Sequence, residues 1–439
     1  MLNMAEKNNV NKILKDVRKK VNPSKEELGS IDKFVKNFVL ELGKKLHSNR
    51  ISAEVFIGGS FAKKTMIKKG QYDIDIFVRF EERHKGSDIS KLTLRALKEV
   101  KTLKREDKKI ILIHGSRDYF KVNVNSDFFI EIIPVMKVKN PKQAENITDL
   151  SYFHVNYIKK KLKTEKMLEE VRLAKAFCHA NKCYGAESYI NGFSGYALEL
   201  LIYHYKSFLG FVKGISKIKG KELIDIEKLY KNKYEIAMNM NSAKMISPIV
   251  LIDPTYKERN ALAALSKETF EKFQEACKSF LKAPSTNSFE IKEIDLGRMK
   301  KNAEKSKSEF ILINAETDKQ EGDVAGSKLA KFYKHLREEL EKSYKISNKG
   351  FDYNGKREAE YFFVVKKKSE IIQQGPRLKD SENVRLFKKH HKNTFAKKDR
   401  IYAREKMKKN IKEFIRNWKS KNSDKMKAMH VKNLEVINF

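Results

Sequence analysis

The sequence predicts a multidomain α+β protein, which begins with a mixed sheet with helices and continues into a helical segment. A second α+β segment and a mostly helical tail follow. The chain has 439 residues, enough for about three domains of roughly 150 residues each. Its hydrophobic fraction is 40%, which is sufficient for several cores and excludes a disordered protein. Strand-like runs and helical periodicity divide the chain into four predicted segments, which are residues 1–150, 151–285, 286–370 and 371–439.

The charge balance indicates a polyanionic partner. The chain contains 94 Lys and Arg residues against 57 Asp and Glu residues, which gives a formal charge of +37. The last 69 residues carry a surplus of 13 of these charges. Because a surplus of this size repels itself, nucleic acid is the expected partner. For any single lysine, a solvated helical face is the alternative explanation.

The predicted RNA-binding surface lies in the tail, where basic residues and aromatic residues are interleaved. Lysines can follow phosphates while aromatic rings stack on bases. The lysines proposed for this surface are Lys388, Lys389, Lys397 and Lys398, and the neighbouring aromatic residues are Phe387, Phe395, Tyr402, Phe414 and Trp418.

The cysteines and the apolar runs predict a cytoplasmic protein. Three cysteines are an odd number without repeated CxxC spacing, which favours neither a disulfide framework nor a zinc site. A reducing compartment fits this composition. No apolar run approaches the 18 residues of a membrane span, and the N-terminus lacks the apolar segment of a signal peptide.

The N-terminal segment is predicted to be a mixed α/β domain. A capping-box pattern of Ser24 and Glu27 after Pro23 predicts the start of a helix with one apolar face. Five strand-like runs follow, and the last two flank a turn at residues 125–127, which predicts a hairpin. The five runs are Ala53–Ile57, Asp73–Phe80, Ile110–Ile113, Phe120–Val124 and Phe128–Val135.

The later segments are predicted from the same signals. Leu168, Val171 and Ala174 repeat at helical spacing in the second segment. The third segment combines strands at Phe310–Asn314 and Tyr361–Val365 with a helix around Lys328–Tyr344, which is an α+β pattern.

Three acidic residues predict a metal-dependent site. Side chains alternate along a strand, so Asp73 and Asp75 point to one face while Ile74 packs behind them. Two carboxylates so close on one face repel each other unless a cation lies between them, and Mg²⁺ takes carboxylate oxygens together with substrate phosphates. Glu131 lies in a second apolar strand, where an isolated charge is costly. A position beside the Asp pair would give Glu131 a metal ion to bind.

A glycine turn before these strands predicts a phosphate-binding element. Gly59 and Ser60 follow a strand, where glycine permits close approach of the backbone to a phosphate. Four lysines follow within ten residues of Ser60, beginning with Lys63. The turn, the lysines and the acids together favour a catalytic site over an exposed acidic edge strand.

With these motifs the sequence resembles the nucleotidyltransferase superfamily, and more closely the archaeal class I CCA-adding tRNA nucleotidyltransferases. The resemblance covers roughly residues 20–395 and includes further stretches after residue 170. These stretches are Val171–Phe177, Tyr184–Glu187, Gly192–Tyr196, Asp253-Pro254, Arg259-Asn260, Gly375-Pro376 and Glu382–Val384.

The resemblance implies a nucleotidyltransferase head, a neck, a body and a tail, and template-independent addition of C, C and A to the tRNA 3′ end from CTP and ATP. By resemblance, Asp73, Asp75 and Glu131 would hold two magnesium ions, and Gly59 and Ser60 would cradle the triphosphate. Lys63 lies where an arginine is common, Glu131 where aspartate is usual, and Ser151 where threonine is usual. The remaining positions that match nucleotide-binding positions of the family are Ser151, His154, Lys175, Tyr184, Ser194 and Arg259.

The residues themselves leave alternatives open at several of these positions. Lys175 on an apolar helix is also explained as a lysine whose stem is buried along that helix. Tyr184 could cap a core, His154 could be a satisfied core histidine, and Arg259 could pair locally with Asp253.

Three functions remain to be distinguished. The first is CCA addition with Mg²⁺, and the second is another template-free RNA polymerase, such as a poly(A) polymerase or an A-only adding enzyme. The third is a non-catalytic RNA-binding protein, against which all three acidic positions argue. The predicted partners are tRNA and the two nucleotides, without a membrane, and a homodimer is one oligomeric state to test.

Overall fold

The computed structural model describes residues 4–103, 109–115, 117–291, 293–405 and 410–438. The chain forms two compact units, Met1–Lys292 and Glu293–Phe439. The division into four segments stays a prediction. In the described ranges no helix is both long and apolar enough to cross a membrane.

The first part of unit one is built on a five-stranded mixed sheet in the order β1-β2-β5-β4-β3. Only β2 and β5 are parallel among these pairs, while the other three pairs are antiparallel. The strands are β1 Ala53–Ile57, β2 Tyr72–Phe80, β3 Ile110–Ile113, β4 Tyr119–Asn123 and β5 Phe128–Met136. The helices of this part are α1 Met4–Val21, α2 Lys25–Ser48, α3 Gly59–Ala62 and α4 Ile89–Lys98. All five predicted strands and the predicted hairpin are therefore confirmed.

Helix α2 begins where the capping pattern predicts. The Ser24 hydroxyl accepts a hydrogen bond from the Glu27 amide at 3.1 Å, and the Glu27 carboxylate accepts one from the Ser24 amide at 2.7 Å. These two bonds satisfy amides that a helix start otherwise leaves unpaired. The apolar face of α2, with Val35 and Phe38 fully buried, then packs into the core behind the sheet.

The second part of unit one is mainly helical, as predicted, with a small three-stranded sheet in the order β6-β7-β8. The helices are α5 Ser151–Lys161, α6 Glu165–Ala180, α7 Gly195–Tyr205, α8 Phe208–Lys217, α9 Lys233–Asn239 and α10 Lys267–Lys282. The strands are β6 Glu222–Ile224, β7 Ile249–Asp253 and β8 Tyr256–Asn260. The N-terminal helix α1 contributes Val10, Leu14 and Val17 to the core of this second part. All three cysteines are buried and free.

Unit two is an α+β structure around a four-stranded antiparallel sheet in the order β10-β11-β9-β15. A separate three-stranded sheet has the order β12-β14-β13. The strands are β9 Glu309–Glu316, β10 Tyr344–Tyr353, β11 Glu358–Lys367, β12 Ile371–Arg377, β13 Thr394–Lys397, β14 Arg400–Glu405 and β15 Asn433–Ile437. The helices are α11 Leu296–Lys305, α12 Asp323–Ser343, α13 Ser381–His390, α14 Ile411–Lys421 and α15 Ser423–Ala428.

The structure corrects the prediction that residues 371–439 form a mostly helical tail. The described part of that segment holds three helices and four strands. Strand β15 completes the sheet of the preceding segment by pairing with β9. The short strands lack a long alternating pattern, so the local sequence did not indicate them. Their pairing is set by distant partners that the local sequence does not reveal.

Trp418 and Phe414 also lie elsewhere than predicted. Trp418 is 7% exposed in the core of unit two and meets Phe332 with ring centroids 5.8 Å apart. Phe414 packs edge-on against Tyr344 at 5.5 Å. Trp418 belongs to the core of unit two, so its placement on an RNA-binding surface is wrong, whereas Phe414 is half-buried and packs against that core.

Candidate functional site

The acidic residues lie side by side on neighbouring strands of the five-stranded sheet. The parallel pairing of β2 with β5 sets Asp75 opposite Glu131 and Asp73 opposite Phe129. Ile74 and Ile76 are fully buried on the other face of β2. The predicted alternation is therefore confirmed, and the sheet register brings Glu131 next to the Asp pair.

The glycine turn packs directly against this acidic face. Gly59 has φ 59°, and a Cβ at that position would lie 2.6 Å from Cγ of Asp75. The Gly58 amide donates to the backbone oxygen of Asp75 at 2.9 Å. Only glycine combines this left-handed backbone with such close approach. Ser60 follows in α3, and its backbone oxygen accepts a hydrogen bond from the Thr65 amide at 2.9 Å.

The electrostatics of the Asp pair are asymmetric. Burial, together with the charge of Asp73, raises the pKa of Asp75 to about 6. Burial also opposes ionisation of Asp73, but Lys69, whose Nζ lies 2.7 Å from Oδ1 of Asp73, lowers its pKa. A cation beside Asp75 would favour its carboxylate form. The pair therefore has the electrostatic character of a site for positive charge.

The three acids fit a magnesium ion by donor chemistry, because carboxylate oxygens are its preferred protein ligands. Their present side-chain positions do not yet converge. Within the described ranges, no three His, Cys, Asp or Glu side chains are grouped so as to hold a metal ion. Asp73 is paired with Lys69 in this structure.

A buried cluster of charged residues lies between the first and second parts of unit one. Lys63 Nζ is 2.6 Å from one oxygen of Glu199, and Lys175 Nζ is 3.0 Å from the other. The Thr65 hydroxyl donates to Glu199 at 2.6 Å and accepts from Lys175 at 2.8 Å. Lys175 is thus a buried ion-pair partner in this structure, and the sequence did not single out Glu199 or Thr65.

The charges within this cluster change the pKa values of two members. Burial lowers the pKa of Lys175 to about 8, although Glu199 counteracts the effect. Burial alone would raise the pKa of Glu199, but Lys175 and Lys63 together hold it down to about 2. Glu199 is therefore the ionised partner of two ammonium groups.

Tyr184 and Ser194 lie at the start of α7, next to this cluster. A Cβ on Gly195 would lie 2.9 Å from the Tyr184 hydroxyl and 3.7 Å from Nζ of Lys175. The Ser194 hydroxyl caps α7 by accepting from the Ala197 amide at 3.2 Å. His179, which the sequence did not suggest, stacks on Tyr184 with centroids 4.0 Å apart. Burial lowers the pKa of His179 to about 4, so its imidazole is neutral near pH 7.

His154 and Arg259 meet at the buried carboxylate of Asp253. One oxygen of Asp253 lies 3.0 Å from Nε2 of His154. The same oxygen lies 2.7 Å from a guanidinium nitrogen of Arg259. The other oxygen accepts from the Tyr196 hydroxyl at 2.9 Å. Burial opposes ionisation of Asp253, but His154 and Arg259 keep its pKa well below the usual value. The local Arg259–Asp253 pair left open by the sequence is therefore present.

Two other groups of predicted residues lie on the surface or at a helix start. Ser151 is the first residue of α5, half-buried. In unit two, exposed lysines lie on α13 and around the turn from β13 to β14. Phe395 stacks on Tyr402 at 5.6 Å, with Arg404 over Phe395 at 4.9 Å. The exposed lysines are Lys388, Lys389, Lys397 and Lys398.

Comparisons with known protein families match two stretches of unit one. A family described as "Nucleotidyltransferase domain" matches residues 35–149, and one described as "tRNA nucleotidyltransferase, second domain" matches residues 169–290. The first match contains the acids and the glycine turn, whereas the second contains Lys175, Glu199 and Arg259. The match boundaries fall close to the change from sheet to helices in unit one.

Curated relatives are archaeal proteins named CCA-adding enzyme. The Nanoarchaeum equitans protein is 43% identical over 217 residues, 49% of this chain and 52% of that protein. The Methanocaldococcus jannaschii protein is 26% identical over 402 residues, 90% of this chain and 87% of that protein. The Methanosarcina acetivorans protein is 32% identical over 241 residues, 54% of this chain and 49% of that protein. The chain thus spans about half the length of the first and third of these relatives.

Among solved structures, the structure of Cid1 in complex with its short product ApU has a TM-score of 0.49 and 14% identity. The alignment covers 64% of this chain and 98% of the Cid1 chain.

The resemblance inferred from the motifs is confirmed by the family matches and the curated relatives. Residues 35–149 of this chain therefore match a nucleotidyltransferase domain, residues 169–290 match the second domain of tRNA nucleotidyltransferases, and the chain is similar to archaeal proteins named CCA-adding enzyme.

Proposed function

We propose that this protein adds C, C and A to the 3′ end of tRNA without a template, using CTP and ATP and releasing pyrophosphate. The observation that carries the proposal is the acidic face of β2 and β5, where Asp75 lies opposite Glu131 and against the Gly59 turn. Its support is the order of the two matched domains and the name shared by the curated relatives.

In the proposed mechanism, Asp73, Asp75 and Glu131 hold magnesium. Two bound ions would lower the pKa of the primer 3′-hydroxyl and neutralise charge on the leaving pyrophosphate. The protein itself positions the reactants, which is the main contribution in phosphoryl transfer. No side-chain nucleophile is required for this chemistry.

The remaining residues bind and orient the nucleotide in this proposal. Gly59 and Ser60 let the backbone approach the triphosphate, and Lys63 and Lys175 supply positive charge beside it. The other proposed contacts to ribose, phosphate and base come from Ser151, His154, Tyr184, Ser194 and Arg259. Arg259 is already oriented by Asp253, so its guanidinium can meet a base without first losing side-chain freedom.

The proposed tRNA partner binds through phosphates to the exposed lysines of unit two, with contributions from other basic surfaces. Phosphate contacts supply affinity independent of sequence, while the catalytic acids do not contribute to it. A cytoplasmic location and a homodimer remain predictions.

The direct test gives the purified protein magnesium, CTP, ATP and tRNA transcripts that lack CCA. The expected product is longer by three nucleotides. Asp75→Ala should abolish extension and leave tRNA binding largely unchanged. Asp32→Ala is the matched control, because it removes an exposed carboxylate of α2 whose pair with Lys36 contributes little.

Other outcomes distinguish the alternatives. Long products from ATP alone would identify a tailing polymerase, and addition of a single A to transcripts ending in CC, without C addition, would identify an A-only enzyme. Binding of tRNA without incorporation of any nucleotide would contradict the proposal and favour a non-catalytic RNA-binding protein.

A further inference from the structure

Glu199 joins residues that are far apart in the sequence. It lies on α7 and is fully buried, while Lys63 follows α3 of the first domain and Lys175 lies on α6 of the second. Its two carboxylate oxygens divide between the two lysines, at 2.6 and 3.0 Å. The ammonium groups of both domains are therefore fixed by one side chain.

The cluster carries more positive than negative charge. Two ammonium groups, with side chains 8% and 2% exposed, share one carboxylate. A buried charge without full compensation is costly, and the cost is relieved when an ion of opposite charge binds. The positive charge left over within the cluster is shared with the carboxylates of Asp73 and Asp75. When those acids hold the proposed cation, this positive charge is available to an anion.

The surplus charge lies next to the acidic face. The charge of Lys63 acts on Asp75, and that of Lys175 acts on Asp73. Lys175 also lies beside the start of α7, where a Cβ on Gly195 would lie 3.7 Å from its ammonium nitrogen and 2.9 Å from the Tyr184 hydroxyl, so only glycine fits between these groups. An anion held there would be adjacent to the carboxylates proposed to hold magnesium.

We propose that Glu199 is a positioning residue that holds Lys63 and Lys175 at a fixed separation, so that together they bind the triphosphate of the incoming nucleotide. The inference rests on the proposed function and deepens it, because it assigns the selection of triphosphates to a carboxylate that never contacts substrate. Thr65 assists by bonding both Glu199 and Lys175 through its hydroxyl.

The test measures dissociation constants for CTP and for cytidine monophosphate by calorimetry, in wild-type protein and in Glu199→Gln. Both nucleotides share the base and the ribose, so the ratio of their two dissociation constants isolates the contribution of the outer phosphates. Glu199→Gln removes a negative charge, which by itself favours an anion, but it also releases both ammonium groups from their fixed positions. We expect the lost positioning to dominate, so the preference for CTP should fall by about tenfold. A preference that rises would overturn the inference. If Glu199 had a purely structural role, its replacement would weaken the binding of both nucleotides equally and leave the ratio of the dissociation constants unchanged.

Glu170→Gln is the matched control. Glu170, on α6, is a second buried carboxylate. It pairs with Arg18 at 2.6 Å and accepts a hydrogen bond from the Phe208 amide at 2.7 Å. Its replacement should cost stability without changing the ratio. An equal change of the ratio in both variants would overturn the inference.

Thr65→Val provides a second, milder variant in case Glu199→Gln does not fold. It keeps the shape of the side chain and should reduce the CTP preference in the same direction by a smaller factor. An unchanged ratio in whichever of these two variants folds would refute the role of the cluster. If wild-type protein itself shows no preference for CTP, the proposed function fails instead.

Discussion

Gly59 gives the sharpest test of how the glycine turn and the acidic face depend on each other. In Gly59→Ala, the new Cβ would lie 2.6 Å from Cγ of Asp75, at a residue with φ 59°. The left-handed backbone costs roughly 1–2 kcal/mol for a residue with a Cβ. Displacing Asp75 from a packed site adds roughly 1–3 kcal/mol. We therefore expect the free energy of unfolding to fall by about 2–5 kcal/mol.

The same change should reduce catalysis more than stability alone explains. A displacement of the reacting groups by about 1 Å can cost roughly 10²-fold in rate. Incorporation of labelled CTP into tRNA would be measured at a temperature where circular dichroism shows the variant to be folded. The expected rate is lower by at least that factor.

Gly29→Ala is the control for this prediction. Gly29 lies in α2 with no atom within 4 Å of its added Cβ, so alanine there should stabilise the helix by about 0.5–1 kcal/mol. If Gly59→Ala unfolds in urea at the wild-type concentration and retains the wild-type rate, the close packing of Gly59 on Asp75 is refuted.

Three further predictions concern the core, the tail and the charged cluster. Trp418→Ala should lower the free energy of unfolding by about 3–5 kcal/mol in urea titrations, while the folded protein keeps its tRNA affinity, because Trp418 is buried. The pKa of Glu199 is lowered to about 2 from its usual value of 4.5 because Lys175 and Lys63 favour the carboxylate. Its stabilisation is therefore present above pH 4.5 and is lost as the pH falls towards 2. The stability difference between wild type and Glu199→Gln, measured by thermal unfolding, should therefore shrink across that interval. Replacing the four tail lysines by glutamine should weaken tRNA binding and reduce the slope of log affinity against log salt by up to about 0.9 per lost phosphate contact. The four lysines are Lys388, Lys389, Lys397 and Lys398. An unchanged slope would show that the RNA binds elsewhere.

Local signals predicted the first domain well. The Ser24 capping box fixed the start of α2, and the alternation of acidic and apolar residues set Asp73 and Asp75 on one face of β2. These signals involve neighbours within about four residues, so the sequence contains them directly. The tail had no comparable alternation, and its strands were missed.

Contacts between distant residues account for what the sequence left open. Glu199 was missed, although a carboxylate within an apolar run is the same signal that pointed to Glu131. Its partners Lys63 and Lys175 are distant in the sequence, so only the fold shows what the carboxylate does. The sequence had suggested the local pair of Arg259 with Asp253, but only the fold adds His154, which is 99 residues from Asp253, to the same carboxylate.

The sequence by itself determined the local features on which the proposed function rests: the acids on alternating strand positions, the glycine turn and the surplus of positive charge. The tertiary structure decided which of these groups meet. It placed Glu131 beside Asp75 through the parallel pairing of β2 with β5, and it joined two domains through Glu199. The reason is physical: side-chain alternation and helix capping are local, whereas strand pairing and buried ion pairs depend on packing between distant segments.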